Sequence, residues 1–333
     1  MAESAVLVPA PLSSLFSPKL LDVSGCPRKD PAKIGALGGG FGLAEGVYTA
    51  AQLEGNQPDK LTIRVNGETS GFPPTAAAIR ILRERKDIHG AIAIDHKMSV
   101  PIGVGFGTSA AAAVGAALAL CAAAEKPITV QHAATIAHTV ELQCRTGLNS
   151  ELGIIQGGLT LVIKEGAPGY GRTDSIPLPR QATIVVATLG PVDKTRVLGD
   201  YTKLRRIEKI GDAYMERILS EPTPEAFLQS ARDFAVEADF CRGEIRRMIK
   251  FIERQDIIGA AQNMVGNAVH ALTHRDKAQE LAAALETKFP HTTVTVSSIA
   301  CGVTTPRPRE TRKQRDRSTN TDRKRSPQIS TPT

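Results

Sequence analysis

In the first half of the chain, short apolar runs alternate with glycine, proline and charge clusters. Residues 5–8 (A-V-L-V), 61–65 (L-T-I-R-V) and 91–94 (A-I-A-I) predict strands. Thr75–Arg85, entered through a Pro-Pro pair, predicts a short helix, and Ser109–Ala124 a second, closed by Pro127. Val130–Gln143 carries amphipathic periodicity behind Thr129, a suitable cap. Strands are expected at Leu159–Ile163 and Thr183–Ala187, on either side of the loop G-A-P-G-Y-G. From Thr195 the period becomes helical, over Lys203–Leu219, Pro224–Glu237, Gly243–Arg254, Asp256–Val269 and Lys277–Thr287, with one late strand at His291–Ala300. The pattern predicts a mixed α+β chain divided near Pro177–Pro191, giving domains 1–180 and 181–303.

Composition narrows the function classes. With 333 residues, 41% hydrophobic and 23% charged, the chain suits a globular protein. The net charge of +7 is concentrated at one end, because residues 304–333 hold nine basic and three acidic side chains with Ile329 as the lone aliphatic residue. That segment has no means of building a core and is expected to be a disordered basic tail. The near-neutral remainder argues against a nucleic-acid footprint on the body. Cys26, Cys121, Cys144, Cys241 and Cys301 contain no C-x-x-C pair, which points to reduced thiols and a cytoplasmic location. The N-terminus lacks the basic and apolar regions of a secretory signal. Val100–Ala124 has the length of a membrane span, but its glycine- and proline-rich first third leaves an alanine helix too short to cross, so a buried helix is expected.

The sharpest motif is Pro101-Ile-Gly-Val-Gly-Phe-Gly-Thr-Ser-Ala-Ala111, running into that alanine helix. Gly103, Gly105 and Gly107 let successive backbone N–H groups converge on an anion, and the helix dipole behind Ser109 adds to the attraction. Pro101, Gly103, Gly105, Phe106, Gly107, Thr108, Ser109 and Ala110 therefore form a candidate phosphate cradle. Walker A fails for want of a lysine after any of these glycines, and the G-x-G-x-x-G fingerprint finds Thr108 or Ala110 at its third glycine. The G-x-S-x-G elbow meets Ala111 instead of glycine. A purely structural glycine turn remains an alternative on these residues alone.

This motif resembles the phosphate-binding motif of the GHMP kinases, the superfamily of galactokinase, homoserine kinase, mevalonate kinase and phosphomevalonate kinase. Three further blocks extend the likeness, most closely to the archaeal pantoate kinases: Asp30–Gly46, Ala137-His-Thr-Val-Glu141, and Thr146-Gly-Leu…Gln-Gly-Gly158 followed by Lys164–Gly171. The resemblance implies a two-domain α+β fold. Its N-terminal ATP-binding domain would be like domain 2 of ribosomal protein S5, and its helix-rich α+β C-terminal domain would shape the acceptor pocket. It implies Mg²⁺- and ATP-dependent phosphorylation of the primary hydroxyl of pantoate, with a homodimer expected by analogy. Ser109 and Glu141 match the family's magnesium ligands and catalytic positions. His138, Ala36, Gly38 and Gly39 match its substrate side, where Arg172 is a candidate cation.

Four positions depart from the family pattern. Ser150 stands where the family places a catalytic aspartate, with Glu151 adjacent as an alternative proton acceptor. Ala36, ahead of the glycine-rich 38–42 loop, replaces a serine, Val162 an arginine and Pro11 a histidine. Arg145, Lys164 and Arg172 flank the region and offer a cation for a carboxylate. Another hydroxy acid or polyol as acceptor, or an ATP-binding pseudoenzyme, stays open at this point. The segment Asp256–His270, with Gly266 and Asn267, is expected to pack near the site as a helix.

Overall fold

Strand β1 (Ala2–Lys19) pairs antiparallel with β2 (Gly35–Glu54) along nearly the whole length of both, in a computed structural model that describes residues 1–22, 24–192, 201–300 and 302–304. The other edge of β2 is shared. Its first half, Gly38–Phe41, pairs with β6 (Leu159–Lys164), and its second half, Val47–Glu54, with β5 (Ala91–Met98). Strands β3 (Lys60–Val65), β4 (Glu68–Thr69) and β7 (Arg172–Ile176) complete a seven-stranded sheet. β3 runs parallel to β5, and the crossover between them carries helix α1 (Pro73–Lys86).

The glycine-rich 38–42 segment, expected to be a loop, lies inside β2. The reason is close approach: a Cβ on Gly40 would stand 1.9 Å from the Leu12 carbonyl oxygen across the ladder. Glycine here lets two backbones meet, where in sequence it reads as a turn. Ser14 is skipped by the pairing between Ser13↔Gly40 and Leu15↔Gly39, which makes it a bulge in β1.

Helices α2 (Thr108–Ala123), α3 (Val130–Cys144) and α4 (Ser150–Gln156) follow in the first half. α2 is buried on nearly every side, as the alanine run predicts, and no helix among the described residues is long and apolar enough to cross a membrane. The second sheet is antiparallel, in the order β11-β8-β10-β9, built from β8 (Ala182–Gly190), β9 (Gly259–Gln262), β10 (Asn267–His274) and β11 (Thr293–Ser298). Around it lie α5 (Tyr201–Ser220), α6 (Pro224–Glu237), α7 (Gly243–Ile252) and α8 (Arg275–Lys288).

The helix expected over Asp256–Val269 is instead β9, a loop at residues 263–266 and the start of β10. β10 is buried on both faces from Ala268 to Thr273, so its apolar run lacks the alternation that marks a half-exposed strand. The segment does pack against the glycine-rich motif. A Cβ on Gly266 would lie 2.4 Å from the Val104 carbonyl oxygen.

Two cores share the β1–β2 ribbon. Val6, Val8 and Val47 pack with α1, α2 and α3, while Leu12, Leu15, Phe41 and Leu43 join the core of the second sheet and its helices. Of the segment 304–333, expected to be disordered, Thr304 instead pairs with Leu7 through two backbone hydrogen bonds of 2.9 and 3.1 Å, extending the edge of β1; the remainder from residue 305 onward and Cys301 lie outside the described residues. The other four cysteines are free thiols.

In the first core His96 is 1% exposed and bridges Thr49 Oγ1 at Nδ1 (2.9 Å) and Thr75 Oγ1 at Nε2 (2.8 Å). Burial lowers its pKa to about 4, against a weaker opposing pull from Asp95. Between about pH 6.5 and 4 the unfolded chain therefore takes up a proton that the folded ring refuses. The resulting stability is full above the unfolded pKa and is lost as pH falls. In urea titrations at neutral and acidic pH, wild type is expected to lose ~3 kcal/mol more across that window than His96→Phe.

Candidate active site

The segment Pro101–Gly107 leaves β5 and turns into α2 with Gly103, Gly105 and Gly107 at φ of 80°, 94° and 54°. At Gly105 the requirement is double. Its positive φ disfavours a side chain, and a Cβ there would come 2.7 Å from Cβ of Asn263. Gly107 caps α2 without a side-chain hydrogen bond, and the first helical bond runs from the Ala111 N–H to the Gly107 carbonyl. The N–H groups of Thr108, Ser109 and Ala110 thus have no partner within the helix, the condition for holding an anion.

Behind the cradle, the Ser109 hydroxyl donates to Glu141 Oε1 at 2.5 Å, and the Thr146 hydroxyl donates to the same oxygen at 2.7 Å. Glu141 is fully buried on α3, and Gly147 passes so close to its carboxylate that a Cβ would overlap Oε2. One carboxylate with two hydroxyl oxygens is a hard donor set suited to Mg²⁺, which takes few protein ligands and completes its shell with phosphate and water. No cluster of three or more His, Cys, Asp or Glu side chains that could hold a metal ion lies among the described residues.

Thr146 and Gly147 also line an open cavity, about 790 Å³ with the solvent at its mouth included. Its floor is the glycine stretch of β2, with Ala36, Gly38 and Gly39; its walls are Pro11, Ser13 and Phe16 of β1, Asn149 and Ser150 at the start of α4, Thr160 and Val162 of β6, and Met264 with Val265. No charged side chain is among the lining residues that the structure describes. Asn149 fastens this floor, accepting from the Ala36 N–H at 2.7 Å and donating to the Gly166 carbonyl at 3.0 Å.

The structure brings together Ser109, Glu141, the glycine cradle, Ala36, Gly38, Gly39 and Ser150. It places other expected residues elsewhere. His138 and Glu151 are buried as a pair, Nδ1 to Oε2 at 3.6 Å, and neither lines the cavity. His138 Nε2 lies 3.2 Å from the Pro31 carbonyl oxygen. Burial alone would lower the His138 pKa, but the Glu151 carboxylate, aided by the Pro31 carbonyl and the Glu141 charge, makes the net shift upward. Arg172 is exposed on β7 outside the cavity, and Lys164 sits over the Tyr170 ring at 3.8 Å. Sequence reasoning missed Ser13, Asn149, Asn263 and the Met264–Val265 wall; the glycine of N-M-V-G-N, residues 263–267, was the available signal.

Residues 74–155 match the family described as the GHMP kinases N terminal domain. A pantoate kinase of Thermococcus kodakarensis is 30% identical over 277 residues, 82% of this chain and 88% of that protein. The chain belongs to the GHMP kinase family. Members of this family are phosphotransferases that use ATP with Mg²⁺, which agrees with the cradle and the oxygen donor set. A pantoate kinase of Methanospirillum hungatei is 25% identical to this GHMP kinase over 80% of the chain and 86% of its own length. A solved structure described as a phosphotransferase related to the CoA biosynthesis pathway superposes with a TM-score of 0.80 at 26% identity, covering 92% of this chain and 99% of that one. Homoserine kinase from Cytophaga hutchinsonii shares the fold, with a TM-score of 0.68 at 14% identity over 92% and 98% of the two chains.

Gly105→Ala should weaken binding of the non-hydrolysable analogue AMPPCP with Mg²⁺ by more than about tenfold, measured calorimetrically, with an unchanged far-UV spectrum. A variant binding as tightly as wild type would remove Gly105 from the cradle.

Proposed function

We propose that this GHMP kinase transfers the γ-phosphoryl group of ATP to the primary hydroxyl of pantoate, giving 4-phosphopantoate on a route to coenzyme A. The observation that carries the reading is the position of the cavity, whose Thr146–Gly147 wall touches the same Glu141 carboxylate that is bonded by Ser109, in the helical turn that follows the phosphate loop. An acceptor held there lies beside the transferring phosphate. The pantoate kinase relatives support the substrate. So does the lining: Pro11, Phe16, Val162 and Met264 offer apolar contact to a branched carbon body, and Ser13, Asn149, Ser150 and Thr160 offer neutral polar groups.

In this reading the loop amides and the N-terminus of α2 hold the triphosphate, while Ser109, Glu141 and Thr146 hold the cation. Mg²⁺, when bound, neutralises charge developing on the phosphoryl oxygens. Ser150 at the cavity wall orients the acceptor hydroxyl but cannot take its proton as a carboxylate would. Glu151 faces His138 instead of the cavity. The chain therefore works chiefly by positioning and charge stabilisation, which supply most of the catalysis in phosphoryl transfer.

A second reading is favoured by one observation: the described lining residues include no lysine, arginine or histidine. A carboxylate gains most from a cation, so an uncharged polyol or another hydroxy acid is the competing acceptor.

ADP release with ATP and Mg²⁺ is expected to depend on pantoate, equally in the full chain and in residues 1–303. Turnover with a neutral polyol and none with pantoate would select the second reading, and AMPPCP binding without turnover on any acceptor would select a pseudoenzyme. Ser109→Ala and Glu141→Ala should each lower kcat by about a hundredfold or more, whereas Ser150→Ala should keep it within about threefold.

A further inference from the structure

A buried chain of hydrogen bonds runs from β1 to the phosphate loop through three side chains that do not line the cavity. Asn263 Nδ2 donates to the Val104 carbonyl at 3.2 Å, Asn263 Oδ1 lies 2.9 Å from His270 Nδ1, and His270 Nε2 lies 3.0 Å from the Ser14 hydroxyl. All three side chains are completely buried.

The direction of every bond follows from one fixed point. A backbone carbonyl only accepts, so the amide nitrogen of Asn263 faces Val104 and its oxygen faces the histidine. Nδ1 of His270 therefore carries the proton and donates, and the bare Nε2 accepts from Ser14. Burial lowers the His270 pKa to about 3, which keeps the ring neutral with one donor and one acceptor. Ser14 reaches the ring because it is the bulged residue of β1, turned out of the alternation of its strand.

The loop at residues 263–266 also faces both halves of the site. Its Asn263 Cβ packs on the backbone of Gly105, and Gly266 lies against the Val104 carbonyl. On its other side the Met264 N–H donates to the Ser13 carbonyl at 2.8 Å, and Met264, Val265 and Ser13 line the acceptor cavity. A displacement of this loop moves the cradle and the acceptor wall together. A wholly apolar core would not need three polar side chains here, since each leaves its neighbour unsatisfied when lost.

We propose that Ser14, His270 and Asn263 form a positioning relay that holds the Val104 carbonyl, and with it the triphosphate cradle, in register with the acceptor wall. The proposal rests on the reading of Pro101–Gly107 as that cradle, and on no particular acceptor.

The test compares two buried histidines. His270→Phe removes the two relay bonds while keeping an aromatic ring against Phe41, which the imidazole meets edge-on at 5.8 Å. His96→Phe removes two comparable bonds, to Thr49 and Thr75, in the first core. Full-length proteins are titrated with AMPPCP and Mg²⁺ in a calorimeter, and their urea midpoints are measured in parallel. Both variants should be less stable than wild type, but only His270→Phe should weaken nucleotide binding, by about tenfold, with His96→Phe within about twofold of wild type. Ser14→Ala, a milder cut at the far end of the relay, should weaken it by about threefold and decides the matter if His270→Phe does not fold. Equal losses of affinity in the two histidine variants, or an unchanged affinity in His270→Phe or in Ser14→Ala, would overturn the relay. Wild type that binds no nucleotide would overturn the cradle reading itself.

Discussion

The backbone pairing of β1 with β2 is the constraint on which the rest of the molecule depends. The ribbon spans 18 residues of one strand and 20 of the other, and both hydrophobic cores use its side chains. Valines near one end face α1–α3, while Leu12, Leu15, Phe41 and Leu43 near the other face the second sheet. Two layers that share a ribbon cannot shift independently without breaking its ladder, so the cleft between phosphate loop and acceptor cavity inherits a fixed geometry. The glycines of β2 make this possible, because a side chain at Gly40 would push the strands apart where the cavity floor lies.

Around that ribbon the site divides its tasks by chemistry. The glycine loop and the N-terminus of α2 offer oriented amides suited to an anion, with no lysine among residues 101–111. The Glu141 carboxylate, on a helix packed deep in the first core, accepts from the Ser109 and Thr146 hydroxyls. The described residues that line the cavity beside it are uncharged and largely apolar. The buried His138–Glu151 pair ties α3 to α4 beneath this cavity, so the acid that lies next to Ser150 in sequence is spent on internal pairing.

Much of this is legible along the chain because it depends on residues close in sequence. The glycine cradle, the helix after it, Ser109 and the capping of α3 by Thr129 are local consequences of backbone freedom and periodicity. The strand at Gly35–Glu54 is not, since glycines that admit a neighbouring backbone look the same in sequence as glycines that permit a turn. The β9–β10 hairpin reads as a helix for a related reason. A strand buried on both faces has no alternation to reveal it.

By itself, the sequence determined the mixed α+β class, the phosphate-binding motif and its family, because short-range stereochemistry and residue type suffice for these. Only the tertiary structure decided which acidic and basic groups reach the acceptor. Glu151 and His138 are turned toward each other, Arg172 toward solvent, and Met264, Val265 and Ser13 meet across more than 240 residues of chain to form the wall. Such contacts are set by how the two sheets close on one shared ribbon. No local rule of spacing carries that information, since it depends on packing between residues far apart in the chain.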